Sequence, residues 1–212
     1  MKLLSTGIII TLSCVAFAGI LAANYFLPNK SSSPSHKNIG EEKVLLSKLK
    51  PKADELKRYI STRDFNRSVC FLIDMSIESG QNRFLVYDLN KDSILESGLV
   101  THGRCNQTWL QGRKYGNTIG CGCTSLGKYK VGVPYKGRFG LAYKLHGLDA
   151  SNDNAYARFV VLHSMECVPG KEVSPLPICQ SDGCPTVSPD FLIKLKNRID
   201  KSVDPVLLWI FN

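Results

Sequence analysis

Residues 68–77 (SVCFLIDMSI), 83–89 (RFLVYDL) and 94–102 (ILESGLVTH) are three short runs rich in Val, Ile, Leu, Phe and Tyr. Gly80-Gln81-Asn82 and Asn90-Lys91-Asp92 stand between them as turn chemistry. Short β-type runs joined by such turns predict an antiparallel meander. Downstream, residues 104–125 form a long loop containing Gly and Cys, and residues 128–133, 141–145 and 158–163 are further strand candidates. Ser188-Pro189-Asp190 is a helix start: Ser caps, Pro fits the first turn, and Asp favours the positive helix end. Residues 205–211 (PVLLWIF) supply a closing strand. The expected fold is mainly β, a β-rich mixed sheet with a small C-terminal helix, over residues 64–212.

Upstream the pattern changes. Residues 41–63 are helical in period, with Val44, Leu45, Leu49, then Leu56 and Ile60 on repeating faces, and Pro51 is expected to break or kink them. Residues 28–40 are rich in Ser, Pro and Lys, so residues 28–63 are expected to be a linker and lead-in helix. Gly7 to Leu27 carries no charge, and a bilayer takes about 20 such residues. Ala16-Phe17-Ala18 and Leu21-Ala22-Ala23 resemble signal-peptide cleavage sites. Residues 1–27 are therefore a signal anchor or signal peptide, with the anchor preferred on length, and the body is exported to the cell envelope, a periplasmic or extracytoplasmic location.

The net charge of +9 belongs mostly to this appendage. Residues 1–63 hold 10 Lys or Arg against 4 Asp or Glu, a balance of +6, while residues 64–212 hold 17 against 14, only +3. No basic, aromatic-interleaved groove is legible in the body, which excludes nucleic acid as the expected partner.

Eight cysteines in an exported chain suggest disulfides. Setting Cys14 aside leaves seven, so at least one thiol stays free or bridges another chain. Cys121 and Cys123 are too close to bond each other comfortably. Cys167 with Cys179, and Cys105 with either of the pair, are candidate bridges.

Two features could carry chemistry. Ser181-Asp182-Gly183-Cys184-Pro185 sets a thiol behind a glycine that allows a tight bend and close approach of a substrate. Backbone N–H groups at such a bend can face an oxyanion. His163-Ser164 ends an apolar run and could serve as the base that a thiol nucleophile requires. The bland alternatives are that Cys184 is simply disulfide-bonded and His163 a satisfied structural residue. His146-Gly147 ends another strand candidate and is a second place for substrate contact.

The order His163, then Ser181, Gly183 and Cys184 after 17 intervening residues, resembles the L,D-transpeptidases of the YkuD type. Thr124-Ser125-Leu126-Gly127-Lys128-Tyr129, upstream, resembles that family's Thr-Pro-x-Gly-x-Phe/Tyr stretch. Lys144-Leu145-His146-Gly147-Leu148-Asp149 and Gly183-Cys184-Pro185-Thr186-Val187-Ser188 resemble the murein L,D-transpeptidase branch in particular. The resemblance covers roughly Cys70 to Ile210. It implies an L,D-transpeptidase-type sheet domain and an enzyme acting on peptidoglycan stem peptides through a Cys acyl-enzyme. Cys184 carries over as nucleophile, His163 as base with Ser164 beside it, and Ser181, Gly183, His146 and Gly147 as substrate-side residues. No cofactor and no metal are implied. One departure stands out: many relatives carry Arg two residues after the Cys, where this chain has Thr186. Arg104, Lys128, Lys144 and Arg158 are the alternative carboxylate partners.

Other classes fit less well. Papain-like peptidases place Cys before His. Sortases also run His, Cys, Arg (here Arg198), but Ser-Asp-Gly-Cys is unlike their strand. A disulfide-stapled wall-binding module would leave the odd thiol unexplained, and a zinc site on His146, His163 and Cys184 lacks a tight ligand pair.

Overall fold

The computed structural model describes residues 39–212. The expected membrane or signal segment and most of the linker lie outside those residues. Among the described residues, no helix is long and apolar enough to cross a membrane.

One eight-stranded sheet organises the body. Its strands are β1 (Val69–Asp74), β2 (Phe84–Asp88), β3 (Ser93–Gly98), β4 (Gly127–Gly137), β5 (Gly140–Gly147), β6 (Val161–Ser164), β7 (Thr186–Val187) and β8 (Leu207–Phe211), in the spatial order β3-β2-β1-β8-β4-β5-β6-β7. The first three form the expected antiparallel meander. The sheet is mixed because β8 joins β1 in parallel and β7 joins β6 in parallel. β8, inserted between β1 and β4, and the edge strand β7 both arrive from far along the chain, which local patterning does not reveal.

The central strands are apolar throughout because both their faces are covered. Phe71 and Ile73 of β1 and Leu208 and Ile210 of β8 point into one core, together with Phe191, Leu192 and Leu195 of helix α2 (Pro189–Ile199). Cys70, Leu72, Leu207 and Trp209 point the other way, into a second core with Leu49, Ala53, Leu56 and Ile60. Those four belong to helix α1 (Ile39–Ile60). Their spacing of 4, 3 and 4 residues makes one apolar stripe.

Helix α1 runs through Pro51 rather than ending there. A proline inside a helix costs roughly 3 kcal/mol. Burying a Leu or Ile side chain contributes roughly 1.5–3 kcal/mol, and the stripe has buried residues on both sides of Pro51. The packing of α1 therefore offsets the lost hydrogen bond. Ion pairs from Lys48 to Asp74 and from Lys57 to Asp92 add to its contacts with the sheet. Helix α2 starts as its residues dictate, with the Ser188 side chain accepting from the Phe191 N–H.

Among the described residues two disulfides form, Cys105–Cys123 and Cys167–Cys179. Cys70, Cys121 and Cys184 are free, so Cys123 rather than Cys121 pairs with Cys105. The buried Cys70 thiol is pushed up to about 12 by desolvation. Behind the Cys167–Cys179 staple, Leu99, Val168 and Ile178 form a small third core.

Candidate active site

The β6–β7 edge gathers the thiol turn and the imidazole. β7 has only two residues, and its register pairs His163 with Thr186 and Ser164 with Val187. Leu162 enters the core, so its neighbour His163 faces the opposite side of the sheet. Its ring is buried there, stacked on Phe139 with centroids 5.0 Å apart. Nδ1 of His163 lies 3.1 Å from the Ser164 carbonyl oxygen, which can only accept, so Nδ1 carries the proton. The Ser164 contribution is thus its backbone carbonyl. In the neutral ring Nε2 has the lone pair, and the Thr186 hydroxyl sits 3.1 Å from it. Burial holds the His163 pKa below its ordinary value, against an opposing effect of the Ser164 hydrogen bond.

Cys184 lies two residues before Thr186 and is half-buried and unpaired. Its sulfur is 3.8 Å from the Phe159 carbonyl oxygen. Burial pushes its pKa up, while the Val161 N–H and the Arg158 charge act in the opposite sense. No hydrogen bond joins the thiol to His163. The Thr186 hydroxyl, beside His163, is also 3.3 Å from the Cys184 backbone carbonyl oxygen.

The turn before the thiol is tightly braced. The Ser181 hydroxyl donates to the Cys184 carbonyl at 2.7 Å and accepts the Gly183 N–H at 3.2 Å. That N–H is therefore already engaged rather than open to an oxyanion. Gly183 has φ +105°, and a Cβ there would meet the Cys123 carbonyl oxygen at 2.6 Å. Only glycine accepts both conditions comfortably. The extended segment Thr101–Gly103 completes the brace. The Ser181 N–H donates to the His102 carbonyl at 3.0 Å, and the Thr101 hydroxyl is 3.2 Å from the Cys184 carbonyl.

Cys184, His163, Ser164, Ser181 and Gly183 therefore form one group. His146 and Gly147 sit on β5 without a hydrogen bond to that group. The His146 ring stacks on Tyr156, and Gly147 is held in close backbone approach to Asn152. Of the four alternative cations, Arg104 pairs with Asp182 and Lys128 with Glu55, while Lys144 lies over the Tyr156 ring. Arg158 is the one whose charge acts on Cys184. Its guanidinium also donates to Gly116 O and Ser125 Oγ, both at 3.0 Å, and to Cys123 O, clamping the disulfide loop against the turn. Thr186 is fully buried, so this position holds His163 and offers no surface to a substrate carboxylate. A residue two places after a nucleophile gave no signal for that role in the sequence.

The L,D-transpeptidase catalytic domain matches residues 41–209, most of the chain. The chain belongs to that family. Solved structures similar to it include an L,D-transpeptidase from Mycobacterium smegmatis, at 13% identity over 68% of this chain and 59% of that one, with a TM-score of 0.40. The helical cell shape determining protein Pgp2 of Campylobacter jejuni, in a K307A mutant, is 14% identical over 74% and 53%, with a TM-score of 0.44. An L,D-transpeptidase from Stackebrandtia nassauensis is 13% identical over 79% and 66%, with a TM-score of 0.39. This chain thus spans between about half and two thirds of the length of these structures. No curated protein matches it.

Proposed function

We propose that this family member is a cysteine acyltransferase of the cell envelope that acts on peptidoglycan stem peptides, with Cys184 as nucleophile and His163 as base. The observation that carries the reading is an unpaired, half-buried thiol on a glycine-pinned turn, one residue pairing away from an oriented imidazole.

With the Cys184 pKa raised and the His163 pKa lowered, both shifts favour thiol beside neutral imidazole at rest. The proton therefore moves as the substrate carbonyl arrives. Sulfur bonds to the carbonyl carbon of the third stem residue, and His163 takes the thiol proton. The C–N bond to the terminal D-alanine breaks, and that proton passes to the departing amine. An amine of a second stem then attacks the thioester, and its proton passes through His163 to the departing sulfur, which restores the thiol and leaves a cross-link. Water in place of the amine yields a trimmed stem. Residues 1–27 would hold or deliver the domain at the membrane, and residues 64–212 would form the catalytic part after the lead-in helix.

Intact-mass measurement after incubation with a tetrapeptide stem, and separately with a carbapenem, tests this directly. The expected result is an acyl adduct on the wild type that Cys184→Ala abolishes. An equal adduct on Cys184→Ala would refute the assignment.

A further inference from the structure

Beyond the other side of the thiol turn lies a cavity of about 520 Å³ that the reaction above does not use. Arg83, His102, Trp109, Arg113, Tyr115 and Gln180 line it. Arg83 is fully buried yet has no carboxylate bonded to it. Its guanidinium donates instead to Val100 O (3.0 and 2.7 Å) and Ile77 O (3.1 Å), and meets Nδ1 of His102 at 3.2 Å. A buried cation met only by neutral dipoles carries a strong field toward any open side. Burial and the nearby Arg113 lower its pKa to about 10, so it stays charged.

His102 extends this arrangement. Nδ1 faces a guanidinium that can only donate, so Nδ1 accepts and the proton sits on Nε2. Nε2 is buried and has no hydrogen-bond partner. Burial and the two arginines hold the His102 pKa down at about 4, so near neutral pH the ring stays uncharged and Nε2–H remains an unused donor. Arg113 supplies the second cation, paired at 2.9 Å with Glu78, whose side chain is 78% exposed. Asp74, the other acid acting on Arg83, is itself paired with Lys48. Among the charged side chains lining the cavity, Arg83 and Arg113 are cationic and Glu78 is anionic.

The cavity is physically tied to the thiol turn. His102 accepts the Ser181 N–H through its carbonyl, and Ser181 in turn bonds the Cys184 carbonyl. Gln180, the residue before Ser181, is fixed by paired hydrogen bonds with the Leu110 backbone at 2.8 and 2.9 Å.

We propose that this cavity is a carboxylate-binding subsite, with Arg113 meeting the anion, the buried Arg83 charge and the His102 Nε2–H dipole behind it favouring negative charge, and Trp109 against the attached apolar part. Its occupant is a carboxylate of the stem peptide, an assignment that rests on the function proposed above. It places carboxylate recognition in a chamber built from the meander and the disulfide loop, on residues far from the thiol in sequence. Trp109 is 42% exposed and stands at the cavity wall, suited to contact a ligand that enters.

Titration of the full chain carrying Cys184→Ala, which halts turnover, tests the subsite. The probes are the tetrapeptide L-Ala-γ-D-Glu-diaminopimelate-D-Ala and its all-carboxamide form, followed by calorimetry and tryptophan emission. Charge-assisted hydrogen bonds predict that the free acid binds at least about tenfold more tightly than the amide. Arg113→Gln should remove about that advantage while leaving amide binding unchanged, and Trp109→Phe should remove the emission change. Equal binding of acid and amide, no binding of the acid, or an acid affinity untouched by Arg113→Gln would each overturn the subsite. Carbapenem adduct formation on the otherwise wild-type chain separately judges Cys184 as nucleophile, so the two readings fail by different measurements.

Discussion

The Thr186 hydroxyl lies 3.1 Å from Nε2 of His163 and 3.3 Å from the Cys184 carbonyl oxygen. A single hydroxyl proton cannot serve both. Beside the neutral ring it is given to Nε2, whereas a protonated ring donates to the hydroxyl and frees its proton for the carbonyl. Thr186 is thus a two-position contact that follows the charge of His163. Its own backbone is locked to Thr101, through Thr101 N to Thr186 O at 2.9 Å and Thr186 N to Thr101 Oγ1 at 3.2 Å.

Thr186→Val keeps the shape and deletes that contact. Loss of one hydrogen bond should cost about 0.5–1.5 kcal/mol of stability, and carbapenem acylation of Cys184 should slow by roughly tenfold through loss of ring alignment. Thr186→Arg should instead cost about 3 kcal/mol or more, because it buries an unpaired charge. Denaturant titration beside adduct kinetics checks both substitutions.

His163→Ala should slow acylation by about 10²–10⁴-fold, the usual cost of losing a general base. His146→Ala should leave it within a few-fold. A slower His146→Ala protein would transfer the base assignment to His146. Mass-resolved adduct kinetics at fixed pH reads the difference.

Gly183→Ala forces a Cβ onto a backbone at φ +105° and against the Cys123 carbonyl oxygen at 2.6 Å. Strain of this kind costs about 1–3 kcal/mol. The expected result is a lower thermal midpoint together with slower adduct formation. A variant with unchanged midpoint and rate would show that the turn is not held as described.

Acid should destabilise the fold through His102. Its folded pKa of about 4 lies below the ordinary 6.5. The unfolded chain therefore binds the proton first, and stability falls as pH drops from about 6.5 toward 4. Above that window the group has no effect. His102→Asn, which keeps an acceptor for Arg83, should flatten the slope in this range, as seen by denaturant titration at a series of pH values.

Much of the meander was legible because its strands are neighbours in the chain and their turns carry their own chemistry. The α2 start was legible for the same reason: a Ser-Pro-Asp cap acts within one turn. Cys184 and His163 were legible as a pair only through the order and spacing of a family pattern, since neither residue alone distinguishes a catalytic from a structural role. Pro51 does not end α1, because a local helix-breaking preference yields to burial on both sides of it. Thr186 stood out only as a departure from the family pattern; its contact with His163 carried no signal, because the two residues lie 23 positions apart.

The sequence by itself determined the β-rich class, the capped helix and the family to which the chain belongs, because those depend on period, local turns and ordered motifs. Tertiary structure alone decided that β8 enters between β1 and β4, that a two-residue β7 aligns Thr186 with His163, and that Arg83 meets His102 without a carboxylate. The reason is that strand insertion and burial of charge are settled by packing summed over the whole sheet, to which no short stretch of residues has access.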